Sequence, residues 1–195
     1  MRPDEQPEWL VKIVVTGGFA VGKTTLVGSV SEIAPLHTEA GLTQASVGTD
    51  ELTGAEGKTT TTTALDFGRI TFADADPPMT VFLFGTPGQP RFSSTWAEIA
   101  HGALGTIVVV DTSRLEISFP GLDFAEQLGI PFVIAVNEFE RDPRRYTARE
   151  VRAALDVGEG VPVVTCDARD AQSVATVLAT LLTSLTPPTP RGALL

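Results

Sequence analysis

Gly17-Gly18-Phe19-Ala20-Val21-Gly22-Lys23-Thr24 is the stretch that decides how the rest of the chain is read. It satisfies the pattern G-x-x-x-x-G-K-[ST], and its flanks are those the pattern needs. Residues 9–16 are a short, β-branched apolar run ending at glycines, the signature of a parallel strand buried on both faces. Residues 22–33 read as a helix that Pro35 closes. Between strand and helix, glycines let the backbone curl until successive N–H groups face inward, and the helix start adds its positive end. Such a turn cradles the phosphates of a nucleotide. Gly17, Ala20, Val21, Gly22, Thr24 and Thr25 are the expected cradle; Lys23 is the point charge for the β and γ phosphates, and the Thr24 hydroxyl is an expected Mg2+ ligand.

Downstream, residues 36–63 are rich in Gly, Thr, Ser and Glu with no clear period and read as a long loop, of a length more often functional than inert. Residues 64–72 and 79–84 read as an antiparallel hairpin around Asp74-Ala75-Asp76-Pro77-Pro78. A short helix is expected over 91–100 and another continuous apolar strand over 106–110. Helix 119–128, strand 132–136, helix 147–155, strand 161–164 and helix 171–182 then alternate. Repeated strand–helix units predict an α/β fold: a three-layer domain with a mainly parallel six-stranded sheet, helices on both faces and a ligand at the C-terminal edge of the strands. The expected division is an N-terminal extension over 1–8, one domain over 9–185 and a flexible Pro-rich tail over 186–195.

Bulk properties remove several function classes. A net charge of −10 over 195 residues argues against a general nucleic-acid binder, which needs a basic face. Cys166 is the only cysteine, so no internal disulfide forms, and MRPDEQPEWL has neither the basic start nor the apolar run of a signal peptide. No apolar run approaches the roughly 20 residues of a membrane span, and the terminal Arg-Gly-Ala-Leu-Leu has no cysteine to prenylate. A cytoplasmic protein is expected, reaching a membrane only through partners.

The segments GGFAVGKTTL, KTTTTTALDFG, LFGTPGQPRF, VVVDTSR, AVNEFE and TCDAR carry a likeness that extends over residues 9–185. The chain resembles the P-loop GTPases of the Ras superfamily, and more closely the bacterial Ras-like small GTPases encoded in actinobacterial conservons, relatives of the MglA polarity GTPases. The resemblance implies a P-loop NTPase domain that hydrolyses GTP to GDP as a molecular switch in signalling, with Mg2+ as cofactor. It also implies a threonine in a first switch loop that closes over Mg2+ and the γ-phosphate. Residues 59–63 are all threonine, and Thr62, four residues before Asp66-Phe67, has the matching spacing; a solvated β-prone stretch is the rival reading. Gly85-Thr86-Pro87-Gly88-Gln89 stands where the family places Asp-x-x-Gly-Gln. There the Gly88 N–H would meet the γ-phosphate and Gln89 would orient the attacking water, making Gln89 and Lys23 the expected catalytic residues. Gly85 replaces the aspartate that normally serves the metal, which should weaken Mg2+ affinity. Asp111, ending the next strand, is either a water-mediated metal contact or a helix cap. MglA relatives carry an arginine where this chain has Thr61, so a slow, partner-stimulated rate is expected.

Guanine selectivity in the superfamily comes from Asn-Lys-x-Asp, whose carboxylate accepts from the guanine N1–H and amine. Asn137-Glu138-Phe139-Glu140 occupies the position, so Glu140 supplies the same planar acceptor pair one methylene further out, and Asn137 ties the loop to the phosphate loop. Asp167-Ala168-Arg169 resembles Ser-Ala-Lys, in which the Ala168 N–H would contact the guanine O6 and Arg169 would pack flat on the base. Adenine binding or relaxed selectivity stays open, because Glu138 and Glu140 also read as exposed loop acids. A nucleotide-locked scaffold that does not hydrolyse is the other alternative. Implied partners are GTP and GDP, a roadblock-fold regulator and a membrane protein like a sensor kinase. Phe92 and Trp96 are candidate contact residues or core aromatics.

Overall fold

Strand β1 (Trp9–Thr16) is the axis of the molecule, and its last four residues are all buried. A computed structural model describes residues 8–34, 36–42, 61–88, 90–139 and 144–185, with 36–42, 61–64 and 90–92 described at the backbone only. The chain runs from β1 through α1 (Lys23–Val30), β2 (Leu36–Leu42), β3 (Thr61–Phe72), β4 (Met79–Gly85), a 3-10 segment (Pro90–Thr95) and α2 (Trp96–Ala100). It continues through β5 (Gly105–Val110), a second 3-10 segment (Thr112–Ser118), α3 (Phe119–Leu128), β6 (Phe132–Asn137), α4 (Ala148–Leu155), β7 (Val163–Cys166) and α5 (Ala171–Leu185). The sheet order is β2-β3-β4-β1-β5-β6-β7. β4, β1, β5, β6 and β7 are mutually parallel, and β2 and β3 add antiparallel at one edge.

The α/β class is as expected, with one strand more than the six anticipated. The start of the expected long loop is strand β2, paired with β3 from Leu36↔Phe67 to Leu42↔Thr61. A bare edge of a long strand offers a row of unpaired N–H and C=O groups, so LHTEAGL is recruited without the apolar alternation that marks a strand in sequence.

Strand pleating sorts the core into two layers. Ile107, Val109, Val133 and Ala135 face α1 and α5 with Val15, Leu26, Val177 and Leu181. Val108, Val110, Ile134 and Val136 face the other way, onto Leu122 and Ala125 of α3 and Val151 and Leu155 of α4. β1 lies between β4 and β5, where the strand order reverses, and the crevice at its C-terminal end is the place such sheets offer a ligand.

Candidate nucleotide site

The loop from Thr16 into α1 is held open from beneath. Gly17 has φ +136°, and a Cβ there would lie 2.3 Å from the Val109 carbonyl oxygen, so no other residue fits against β5. Gly22, with φ +107°, has the same constraint from Asn137, 2.4 Å from such a Cβ. Ala20 takes a left-handed φ of 58°, the alternation of hands that turns consecutive amides to one side.

Lys23 is almost fully buried, and its ammonium donates to the carbonyls of Gly17 at 2.9 Å and Gly18 at 2.6 Å. Burial brings it down to about 8, with the Asp66 carboxylate pulling the other way. Gly88 lies directly on this group: a Cβ there would be 2.6 Å from the Lys23 Nζ and 2.7 Å from the Gly18 carbonyl. The segment that follows β4 therefore rests on the mouth of the cradle. It is anchored by Thr86, whose N–H donates to Val15, and by Trp96, whose indole Nε1 donates to the Pro87 carbonyl at 3.0 Å. Trp96 is 3 % exposed and packs edge-on against Phe124, so it is a core residue and not an exposed contact. Phe19, at the crest of the cradle, is 61 % exposed.

The Thr24 hydroxyl donates to Asp66 Oδ2 at 2.7 Å. A hydroxyl and a carboxylate are hard oxygen donors, the kind a hard divalent cation such as Mg2+ takes, and such ions need only one or two protein carboxylates when phosphates supply the rest. Asp111 takes the helix-cap place. It caps the second 3-10 segment by accepting from Ser113 and pairs with Arg114 at 3.0 Å. Although burial opposes it, the hydrogen bonds from Ser113 and Arg114 hold its carboxyl below the usual range.

On the other side of the loop a cleft of about 170 Å3 is lined by Gly22, Thr25, Asn137, Glu138, Phe139, Asp167, Ala168 and Arg169. Asn137 joins its walls: Nδ2 donates to the Val21 carbonyl at 2.9 Å, and Oδ1 accepts the Ala168 N–H at 3.0 Å. The amide expected to meet a guanine O6 is therefore engaged by Asn137. Arg169 is clamped by Asp167, which accepts from its Nε at 2.9 Å and its Nη2 at 2.7 Å. That hydrogen bond holds the Asp167 carboxyl at about 2. Glu138 pairs with Arg145 at 3.2 Å.

The structure thus brings Gly17, Ala20, Val21, Gly22, Lys23, Thr24 and Gly88 together at one pole, and Thr25, Asn137, Ala168 and Arg169 beside them. Gln89 and Glu140 lie outside the described residues, as do Thr59 and Thr60, and Phe92 is described at the backbone only. Thr62 pairs with Gly41 inside the sheet, four residues along β3 from Asp66, about 13 Å at strand spacing. Asp66 and Asp167 were missed in the sequence. Asp66 had a signal: a hairpin turn at 74–78 that pairs Phe72 with Met79 also sets Asp66 opposite Gly85.

A family model described as "Conserved hypothetical ATP binding protein" matches residues 15–187. An uncharacterized protein of Methanocaldococcus jannaschii is 32% identical over 114 residues, 58% of this chain and 56% of that protein. The Ras-related protein Rab-11C of Dictyostelium discoideum is 29% identical over 119 residues, 61% of this chain and 44% of that protein. The chain thus aligns with about half the length of these relatives. Among solved structures, the cytosolic domain of the T. maritima FeoB iron transporter in its apo form superposes with a TM-score of 0.63 at 16% identity, covering 94% of this chain and 67% of that one. That likeness is one of fold.

Proposed function

The chain belongs to the family of conserved hypothetical ATP binding proteins, a P-loop nucleotide-binding family, and on its likeness to a Ras-related protein we propose that it is a GTP-binding switch that hydrolyses GTP to GDP. One observation carries the reading: Gly88 rests on the Lys23 ammonium at the mouth of the cradle. A γ-phosphate seated on Lys23 has to take up the Gly88 N–H or push the segment away, so the presence of that phosphate is converted into the position of residues 85–88.

In the proposed reaction, the loop amides and Lys23 bind the phosphates and take up developing charge, and Gln89 orients the attacking water in line. A bound Mg2+ would supply charge neutralisation at the β and γ phosphates, held in part by the Thr24 hydroxyl. Thr62 joins that shell only if the first residues of β3 leave the sheet, which makes β3 a proposed moving part. Glu140 and Arg169 are the proposed readers of guanine, with Asn137 setting the distance between base and phosphates. A roadblock-fold regulator and a sensor-kinase-like membrane protein are proposed partners from the resemblance, in the cytoplasm. Among the described residues no helix is long and apolar enough to cross a membrane.

The family description favours a second reading, an ATP-binding or base-tolerant site. Competitive binding of GTP, GDP and ATP with and without Mg2+, repeated for Glu140→Ala, separates the two. Preference for guanine nucleotides that collapses in the variant supports the first reading. Equal competition by ATP, unchanged in the variant, supports the second. Single-turnover phosphate release then distinguishes hydrolysis from a nucleotide-locked scaffold.

A further inference from the structure

Two consecutive carbonyls of the phosphate loop are pinned outward by side chains that come from beyond it in the chain. Asn137, ending β6, donates to the Val21 carbonyl at 2.9 Å, and Arg114, in the second 3-10 segment after β5, donates from Nη2 to the Ala20 carbonyl at 3.4 Å. In a trans peptide the C=O and the N–H that follows it point opposite ways. Turning these carbonyls out therefore turns the N–H groups of Val21 and Gly22 in, towards the space a phosphate would take. The need for a hold is greatest at Ala20, whose φ of 58° is a hand that residues with a Cβ rarely adopt. Lys23 does not supply it, because its partners are the carbonyls of Gly17 and Gly18 and an arriving phosphate would draw it off them.

Arg114 is built into place. Its Nε and Nη2 donate to Asp111 Oδ2 at 3.2 and 3.0 Å, and Asp111 is buried. Asp111 is fixed in turn through Oδ1, which accepts the Ser113 N–H at 3.0 Å and the Ser113 hydroxyl at 2.6 Å. Arg114 breaks the 3-10 segment with φ −145° and ψ 54°, and its own N–H reaches the Asp111 carbonyl at 3.0 Å. A guanidinium is planar and always charged, so one fixed orientation serves a carboxylate and a carbonyl together, which a compact ammonium does not. The same segment is fitted to the loop at a second point: a Cβ on Gly18 would lie 2.6 Å from the Ile117 side chain.

We propose that Arg114 is a positioning residue of the phosphate site: clamped by Asp111, it holds the Ala20–Val21 peptide with its N–H facing the phosphates, and so strengthens binding of nucleoside di- and triphosphates irrespective of their base. This rests on the reading of the loop as a nucleotide cradle. It gives Asp111 a task beyond its cap, that of a brace acting on the ligand through the arginine.

The test is calorimetric binding of GDP, GTP, ITP and ATP in Mg2+ to the full chain, with the Tm of the ligand-free protein measured alongside. Arg114→Gln should weaken every nucleotide that wild type binds by one common factor, about three- to tenfold, the yield of one hydrogen bond at a part-exposed site, with ligand-free Tm unchanged. In NMR spectra of the nucleotide complex the Val21 amide resonance should shift in that variant. Arg114→Lys keeps the charge but not the fork, so its affinities should stay nearer those of Arg114→Gln than of wild type. Asp111→Asn keeps the cap acceptor and removes the anion that clamps the arginine; added to Arg114→Gln it should cost little further, the mark of two residues acting in series. Full affinity in Arg114→Gln overturns the proposal, as do a loss confined to one base, an unmoved Val21 resonance, or a lysine variant equal to wild type, which would reduce the role to charge alone. Wild type that binds no nucleotide sinks the cradle reading and this proposal with it, an outcome read before any variant is made. Should Asp111→Asn not fold, the two Arg114 variants decide.

Discussion

A buried lysine and two constrained glycines do most of the defining at the residue scale. Lys23 is parked on the carbonyls of Gly17 and Gly18, so an arriving phosphate exchanges neutral acceptors for charged ones. Charge-assisted bonds are worth about 1.5–3 kcal/mol each, so Lys23→Ala should weaken triphosphate binding by about 10- to 100-fold or more by calorimetry; unchanged affinity would refute the cradle. Gly17 is demanded by backbone as well as by space. At its φ a side chain costs about 1–3 kcal/mol before the clash with Val109 is counted, so Gly17→Ala should show a lowered urea midpoint even without nucleotide. These residues were legible in the sequence because one motif packs spacing, hand and charge into eight positions. Asp66 was not, because its role is set by cross-strand register, a relation between residues 19 positions apart that no local pattern encodes.

Elements were legible in proportion to how much of their surface is buried. The second half of β1, with β5 and β6, is walled on both faces and announces itself as an apolar run, and α3 falls over Phe119–Leu128 as read from the sequence. β2 escaped, since an edge strand is specified by its neighbour's hydrogen bonds and not by its own side chains. The loop between β7 and α5 carries a pH-sensitive brace. Asp167 titrates at about 2 in the folded chain because Arg169 donates to it. A carboxyl depressed on folding contributes stability above its ordinary value near 4 and loses it as pH falls towards 2. Tm should therefore fall over that window, and Asp167→Asn should flatten the slope. Both partners are partly exposed, so high salt should shrink the effect. A slope identical in the variant would show the brace is energetically silent.

At the scale of the whole molecule, one two-layered core is wrapped around one sheet, and a ligand at its pole stabilises all of it. Saturation at about 100 times Kd adds about 2.7 kcal/mol to unfolding. Cys166 reports this: it is 3 % exposed, and burial, with the charges of Asp167 and Glu138, pushes its thiol up to about 12, so the folded chain should resist alkylation. Under conditions where opening precedes labelling, saturating nucleotide should slow modification about 100-fold; a rate indifferent to nucleotide would mean Cys166 is reached by a local opening. Trp96 has a further use. The chain has two tryptophans, Trp9 at 56 % exposure and Trp96 sealed beneath Pro87, to which its indole is tethered. Their emission bands should differ in colour and in access to acrylamide, leaving the bluer, shielded one as an intrinsic optical gauge of whether the segment above it has shifted when the terminal phosphate comes or goes.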